Sequence, residues 1–427
     1  MRRCEAGAII AFVILMQGPV EGMSFNILRA ILSPPVPRIT RVRNASPREL
    51  RLKNSLAVSD FLGLVKQYHY PAEEHNVTTI DGYNLRFHRI PGSARSSLVE
   101  KKPVVFVQHG ISASSDSWVL MGPGRDLVFL LADAGYDVWV GNFRGNSYSR
   151  SHVVLSPEDP KFWQFSFHEM AYYDLPAMID YALDHTGQKS LIYIGHSMGT
   201  TTSYILLSER PEYNNRLRLV VSFAPVAYWK HGRTGIQKLL VDNGDFIEQT
   251  LRNQGIHELY PQSTLITQLL NSLCNENAAT HKVCLNVYFR VFGSDPEQFN
   301  TTLIPYLVSY FPAGMSLKTL AHYYQHLSSG QFRQYDYGYV ENFGRYQQAE
   351  PPAYDVSKIT APVALFYGRN DPLSREVDVV ELKKRLTNVV ASVAISYPAF
   401  NHVDFVWATD AKRLLYDDTI ELIHQYK

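Results

Sequence analysis

The segment Gly195-His-Ser-Met-Gly199 places a serine between two glycines, after the apolar run Leu191–Ile194 and at the start of a helical stretch. G-x-S-x-G between a strand and a helix is typical of a nucleophile elbow, a turn too tight for larger side chains that presents the serine hydroxyl at the strand end. The pattern predicts Ser197 as a nucleophile. The alternative is an inert serine in a glycine-rich turn, because three fixed positions recur by chance.

A nucleophilic serine needs a base and a group that orients the base. Asp371 follows one later apolar run, and His402 follows the next. Together with Ser197 they give the order Ser, acid, His that accompanies this elbow. Asp404 and Asp410 are rival acids, but both follow the base in the sequence. We therefore expect Asp371 to orient His402.

Four other histidines are weaker candidates for the base. His109 and His196 adjoin the predicted site, but their positions are better suited to shaping the backbone than to transferring protons. His322 and His326 lie on a predicted helix distant in sequence, where lone histidines are more often structural. None of the four replaces His402 in this prediction.

The chemistry that these groups predict is acyl transfer from an ester through an acyl-enzyme. The tetrahedral oxyanion of such a reaction needs preorganised N–H donors. One donor is expected to be the amide of Met198, directly after the nucleophile, and the other comes from the loop after an early strand. Gln108-His-Gly-Ile111 ends the run that begins at Val104, so the Ile111 amide is the expected second donor.

Short apolar runs alternate with helical stretches from Val104 onward, which predicts a doubly wound, mostly parallel α/β sheet. The predicted strands are 104–108, 137–141, 191–194, 217–223, 363–367 and 391–397, and the predicted helices are 124–134, 169–185 and 198–210.

An insertion of 139 residues (224–362) interrupts this alternation, far more than a crossover connection needs. Within it, Ser316–Leu327 has helical apolar spacing behind a serine N-cap. We therefore expect a mainly helical subdomain at 230–350, inserted between two parts of an α/β core at 68–229 and 351–427.

The composition excludes several classes of protein. Lys and Arg number 41 and Asp and Glu 40, for a formal charge of +1, so nothing favours a nucleic-acid partner. Hydrophobic residues make up 45%, which is enough for a large core. P-loop, C-x-x-C and H-E-x-x-H motifs are absent from the sequence, and Gly122-Pro-Gly124 lacks the third glycine of a dinucleotide turn.

The N-terminus has the pattern of a secretory signal. Met1-Arg-Arg3 is basic, Ala6–Met16 is mostly apolar, and small residues precede a possible cleavage after Gly22, so residues 1–22 are the predicted signal. The apolar run is too short to span a bilayer. Residues 23–67 form a predicted basic N-terminal arm, either a solvated tail or a removable pro-segment.

Secretion favours a disulfide between Cys274 and Cys284, the even pair left after the signal is removed; two free buried thiols are the alternative. Asn44, Asn76 and Asn300 begin glycosylation sequons. Each triplet is weak alone, and together they agree with passage through the secretory pathway.

A series of ordered motifs runs from about Tyr68 to the C-terminus: Tyr70-Pro-Ala-Glu-Glu74, Asp81-Gly-Tyr-Asn-Leu85, Gln108-His-Gly110, Gly141-Asn-Phe-Arg-Gly-Asn146, Phe162-Trp-Gln-Phe-Ser-Phe-His-Glu-Met170, Tyr173-Asp-Leu-Pro176, the elbow, Pro312-Ala-Gly314 and Asn401-His-Val-Asp-Phe405. In these motifs the chain resembles the acid lipase family of gastric lipase and lysosomal acid lipase, which has many insect members.

The resemblance implies an α/β-hydrolase fold in which the insertion at 230–350 is a helical cap and lid, no cofactor, and hydrolysis of neutral lipid esters. A mobile lid is then expected near 230–275. It also supports Ser197, Asp371 and His402 as the triad, Ile111 and Met198 as oxyanion donors, and the Cys274–Cys284 pair. Gastric lipase has Gln and Leu where this chain has Met198 and Ile111, and both positions act through the backbone. The cap matches more loosely.

We therefore expect a secreted or lysosomal, glycosylated serine lipase that acts on triacylglycerols and touches lipid–water interfaces transiently. Sterol ester hydrolysis is one alternative, and a small-ester esterase is another. A third is a non-catalytic lipid-binding protein on a lipase scaffold, although such a protein should have lost triad members. The sequence does not fix the oligomeric state.

Overall fold

The computed structural model describes residues 39–43, 57–96, 101–230 and 235–427. The predicted signal (1–22) and the sequon at Asn44 lie outside these residues. No helix in the described ranges is long and apolar enough to cross a membrane.

A nine-stranded sheet forms the centre of the protein. Its strands are β1 (Glu73–Thr78), β2 (Tyr83–Ile90), β3 (Val104–Gln108), β4 (Asp137–Val140), β5 (Ser151–His152), β6 (Leu191–His196), β7 (Leu217–Phe223), β8 (Val363–Tyr367) and β9 (Val389–Ala394). Their order across the sheet is β9-β8-β7-β6-β3-β4-β2-β1, and β5 pairs with β2.

The six strands from β9 to β4 in this order are parallel to their neighbours. The pairs β1–β2, β2–β4 and β2–β5 are antiparallel. Every residue of β3, β4, β6 and β8 is buried. Continuous apolar runs become parallel strands because helices cover both faces of such a sheet. The predicted mostly parallel α/β fold is confirmed.

The helices of the described residues are α1 (Phe61–Lys66), α2 (Leu127–Asp133), α3 (Phe167–Glu169), α4 (Leu175–Thr186), α5 (Met198–Glu209), α6 (Gly235–Asn253), α7 (Thr264–Cys274), α8 (His281–Phe292), α9 (Ile304–Leu307), α10 (Leu317–Ser329), α11 (Tyr339–Tyr346), α12 (Glu376–Arg385), α13 (Asp404–Trp407) and α14 (Asp417–His424).

The segment between β7 and β8 contains α6–α11 and no strand of the central sheet within its described residues. Ser316 caps α10 by accepting from the Thr319 amide at 3.0 Å, as its sequence predicts. A short antiparallel pair, Glu258–Leu259 with Met315–Ser316, ties the two halves of the insertion together. The boundaries of core, cap and lid remain predictions.

The structure differs from the sequence-based expectations at three places. The last strand begins and ends earlier than 391–397, because the chain leaves the sheet at Ala394 to reach the loop before His402. The predicted helix 169–185 starts as a π-helical turn at Met170–Asp174, where Asp174 binds the buried Arg144. The antiparallel β1–β2 hairpin was not expected.

The basic arm is not a solvated tail where the structure describes it. Thr40–Val42 pairs in parallel with Ala57–Ser59. The Arg41 side chain is 12% exposed and binds the buried carboxylate of Asp116 at 2.6 Å. A long-range buried partner, invisible in the local sequence, therefore fixes this part of the arm, and the expectation of an irregular solvated segment is wrong for residues 39–43.

Candidate active site

Ser197 stands at the junction of β6 and α5 with φ 53° and ψ −115°, an unfavourable conformation for a residue with a side chain. Backbone strain of this kind costs about 1–3 kcal/mol and persists only where the surroundings enforce it. Here the Ser197 amide donates to the carbonyl of Phe223 at 3.0 Å, which anchors the turn to β7. The serine is 7% exposed.

The elbow glycines are required by close packing. A Cβ atom on Gly195 would lie 2.6 Å from the carbonyl group of Gly199. A Cβ atom on Gly199 would lie 2.7 Å from the backbone oxygen of Gln108. The two glycines therefore let helix α5 pack against the ends of β6 and β3.

The carboxyl ends of three strands bring the predicted triad together. His402 Nε2 lies 2.8 Å from Ser197 Oγ, and His402 Nδ1 lies 2.8 Å from Asp371 Oδ2. Since the carboxylate accepts from Nδ1–H, Nε2 is left to accept the serine proton. The second carboxylate oxygen accepts from the Leu373 and Ser374 amides, which fixes its orientation.

The two predicted oxyanion donors flank the serine. The Met198 amide opens α5, where backbone N–H groups have no carbonyl partner within the helix. Ile111 lies in the loop after β3 and lines the same cavity as Ser197. The loop after β3 packs closely against Ser197 because residue 110 is a glycine. A Cβ atom at this position would lie 3.2 Å from Ser197 Cβ.

Two buried histidines stabilise this arrangement by hydrogen bonds to backbone carbonyls of the site. Burial lowers the pKa of His109 to about 4 and that of His196 to about 3, so both are neutral at pH 7. His109 Nδ1 donates to the Gly110 carbonyl at 2.8 Å. His196 Nε2 donates to the His402 carbonyl at 2.8 Å. Both side chains position backbone, as the sequence suggested.

A cavity of about 520 Å³ opens at Ser197 and His402. Its walls are almost wholly apolar. The insertion supplies most of them, including Leu251, Leu273, Tyr288, Phe292, Phe299, Ile304, Leu307, Phe311, Met315 and Leu327. The site therefore combines the predicted nucleophile with an apolar cavity suited to a hydrocarbon chain.

Cys274 and Cys284 form a disulfide with a Cα–Cα distance of 5.4 Å. It joins the end of α7 to α8 and lines the cavity wall. Asn76 is exposed on β1, and Asn300 is half-buried with Oδ1 accepting from the Thr302 amide. Their glycosylation stays a prediction.

One cluster among the described residues has the composition of a metal site. The ligand atoms of Glu73, His75 and His185 lie within 4.8 Å of one another. The Arg89 guanidinium already contacts this cluster, 2.9 Å from Glu73 and 3.2 Å from His185. Since a cation occupies the position, the cluster does not suit a metal ion.

Asn401 is a positioning residue that the sequence reasoning did not single out. Its Oδ1 accepts from the Val403 and Asp404 amides, and its Nδ2 donates to the Gly293 carbonyl at 3.0 Å. It thereby attaches the His402 loop to the end of α8. The signal was present, because an asparagine before a short helix is a frequent cap.

Comparisons with known proteins agree with this architecture. Residues 103–408 match the family described as alpha/beta hydrolase fold, and residues 62–122 match the partial alpha/beta-hydrolase lipase region. The chain therefore belongs to the α/β-hydrolase family.

Similar proteins show to which group of α/β hydrolases the chain belongs. Human gastric triacylglycerol lipase is 39% identical over 85% of this chain and 90% of its own length. Lipase 3 of Drosophila melanogaster is 36% identical over 88% and 96%. A putative lysosomal acid lipase/cholesteryl ester hydrolase of Crotalus adamanteus is 36% identical over 83% and 88%. Within the α/β hydrolases the chain is thus a member of the acid lipase family.

A solved structure of a putative lipase from Sulfolobus solfataricus shares the fold at greater distance. Its TM-score is 0.54 at 12% identity, covering 81% of this chain and 90% of that one.

Proposed function

We propose that this protein is a serine lipase that hydrolyses the carboxylic ester bonds of neutral lipids, with triacylglycerols as its main substrate. The observation that carries the proposal is the continuous hydrogen-bonded chain Ser197–His402–Asp371 at the mouth of an apolar cavity. The similarity to gastric triacylglycerol lipases supports the substrate class.

In the proposed mechanism, Ser197 Oγ attacks the ester carbonyl carbon while His402 Nε2 takes its proton. Asp371 holds the imidazole in the required tautomer and stabilises the imidazolium. The amides of Met198 and Ile111 donate to the oxyanion. His402 then protonates the departing alcohol, which leaves an acyl-enzyme.

Water completes the cycle. His402 removes a proton from water, whose oxygen attacks the acyl carbon. As the tetrahedral intermediate collapses, His402 returns that proton to Ser197 Oγ, which frees the serine and releases the fatty acid. No cofactor takes part in these steps. The acyl chain lies among the apolar side chains of the insertion, where burial stabilises it by about 0.8 kcal/mol per methylene group.

Contact with a lipid surface is expected to be peripheral. Ile80 and Val154 are 93% and 83% exposed, and Val153 is also exposed. They lie next to the start of β2, which runs antiparallel to β4. They are therefore at the end of the sheet where the parallel strands finish, which is also the end that carries the elbow. Apolar side chains exposed on this edge suit contact with an oil surface.

The predicted signal, sequons and disulfide support entry into the secretory pathway, and the relatives of gastric and lysosomal type support release or lysosomal delivery. Secretion is the location we propose first, with the lysosomal lumen as the alternative.

The test is fatty-acid release from emulsified long-chain triacylglycerol between pH 4 and pH 8. Wild-type protein should release fatty acid and Ser197→Ala should not. Ser203→Ala removes a buried hydroxyl from the same helix, where it donates to the Thr200 carbonyl, and should keep activity. A cholesteryl ester emulsion run in parallel compares the two substrates. A folded wild-type protein that hydrolyses neither would contradict the proposal.

A further inference from the structure

Behind the triad, two buried carboxyl groups face each other across the junction of the insertion and the His402 loop. Asp404, two residues after His402, is 1% exposed. Asp295, three residues after the end of α8, is 0% exposed. The Asp295 carboxyl is close enough to Asp404 to act on its pKa both by charge and by a side-chain hydrogen bond. That hydrogen bond can form only if one of the two carboxyls holds a proton.

The remaining contacts show which partner needs a donor. Asp295 Oδ1 accepts from the Gln298 amide at 3.2 Å. It also lies 3.2 Å from the Tyr397 hydroxyl, whose single proton it shares with Glu297. Asp295 Oδ2 is fully buried and has no conventional donor among the described residues. Asp404 Oδ2 accepts from the Asn401 amide at 2.7 Å. A proton on Asp404 would give Asp295 its missing donor.

The electrostatic surroundings favour that proton. Burial raises the pKa of Asp404 to about 8, and the carboxylates of Asp295 and Asp371 act in the same direction. The other titratable groups around the pair are the hydroxyls of Tyr288 on α8 and Tyr397, whose pKa values burial also raises, so both remain neutral. Glu297 binds the Tyr397 hydroxyl from the outer side and adds another negative charge.

The pair lies where the insertion meets the catalytic loop. The His402 amide donates to the carbonyl of Phe292, the last residue of α8, at 3.0 Å. At the next residue, a Cβ atom on Gly293 would lie 2.8 Å from Asn401 Cβ, so the two segments are in direct contact. Repulsion between two charged carboxylates at this place would push the His402 loop away from α8.

We propose that Asp404 and Asp295 share one proton. This carboxyl–carboxylate pair is a positioning element that keeps His402 within hydrogen-bonding distance of Ser197. This inference rests on the proposed function. Neither carboxyl touches the reacting atoms. Loss of the shared proton at alkaline pH leaves two adjacent carboxylates, which separate and displace His402, so the pair makes activity fall as the pH becomes alkaline.

The experiment measures kcat/KM for a water-soluble short-chain ester from pH 5 to pH 9.5, which avoids effects of the lipid surface. Loss of one proton near pH 8 should leave wild type with about a tenth of its activity at pH 9. Asp404→Asn keeps both hydrogen bonds without a titrating proton. We expect activity within about threefold of wild type at pH 6 and little decline to pH 9.

Asp295→Asn is an independent second variant, because its amide can donate to Asp404, and it should flatten the same alkaline decline. Asp404→Ala should lose at least about tenfold at pH 6, because it leaves Asp295 Oδ2 without a donor. Asp410→Asn, which changes a partly exposed carboxylate on the same segment, is the matched control and should follow wild type. An alkaline decline that is identical in wild type, Asp404→Asn and Asp295→Asn would overturn the inference.

The carboxyl pair can also be tested if the proposed lipase function is wrong. If wild type hydrolyses no ester, the same variants are compared by their urea unfolding midpoints at pH 5 and pH 9. Because folding holds the Asp404 proton more tightly than the unfolded chain does, wild type should lose stability as pH rises through this range, and Asp404→Asn should lose less. Equal losses of stability in wild type and Asp404→Asn would contradict the shared proton, independently of any catalytic activity.

Discussion

His109 donates from Nδ1 to the carbonyl oxygen of Gly110 at 2.8 Å. That carbonyl belongs to the peptide group whose N–H is the amide of Ile111. The imidazole thus orients a proposed oxyanion donor through this shared peptide group. The Phe143 amide donates to its other nitrogen at 3.2 Å, which fixes the tautomer.

Replacing His109 with Ala should therefore lower kcat more than it changes KM. Complete loss of an oxyanion donor costs about 10²–10³ in kcat, so a misdirected donor should cost about tenfold to a hundredfold. The measurement is steady-state kinetics on a soluble ester. His185→Ala, at an exposed histidine, is the control. A raised KM with an unchanged kcat would instead assign His109 to substrate binding.

Asp371→Asn should reduce kcat by about 10⁴-fold, because the carboxamide offers N–H to His402 Nδ1 and stabilises the wrong tautomer. KM and the unfolding midpoint should change little, since the other side-chain oxygen can still accept from the Leu373 and Ser374 amides. Asp418→Asn, an exposed carboxylate, should behave as wild type. A decrease below about tenfold would remove Asp371 from the proposed triad.

Removal of the Cys274–Cys284 disulfide should destabilise the insertion. The two cysteines are 10 residues apart, and closing such a short loop contributes about 3 kcal/mol in the chain-entropy model. The double variant Cys274→Ala/Cys284→Ala should unfold at lower denaturant than wild type. Reduction of the wild type should produce a similar shift, and a shift in neither case would contradict the expected contribution.

His326 should make stability depend on pH in the acid range. Burial lowers its pKa to about 4, and its Nε2 donates to the Arg333 carbonyl at 2.7 Å. Because the unfolded histidine binds a proton near pH 6.5, stability is fully present above that pH and is lost as pH falls towards 4. The difference amounts to roughly 3 kcal/mol.

His326→Gln keeps a donor for Arg333 but does not titrate. Its unfolding free energy should therefore fall less between pH 7 and pH 4 than that of wild type, by roughly 3 kcal/mol. Urea denaturation at the two pH values measures this. His185→Gln, at an exposed position, should retain the wild-type dependence, and a full decrease in His326→Gln would assign the acid sensitivity to other groups.

The parts of the fold that depend on local pattern could be predicted from the sequence. The elbow at Ser197 and the order of Asp371 and His402 follow from strand ends that carry their own signals. Bonds between distant segments could not be predicted. In the sequence, Arg41 is one of several basic residues, and nothing near it indicates its ion pair with Asp116. The sequence makes Asp404 a rival for the catalytic acid, whereas in the structure it interacts with Asp295 in the insertion.

The insertion also has a consequence for biosynthesis. Strand β8, which covers the open edge of β7, comes after 139 residues (224–362), and Ser197 and His402 are 205 positions apart. At synthesis rates of about 5–20 residues per second, the ribosome needs roughly seven to thirty seconds to reach β8. During that interval the apolar edge of β7 is unpaired, so the nascent chain depends on chaperones or on early folding of the insertion to escape aggregation.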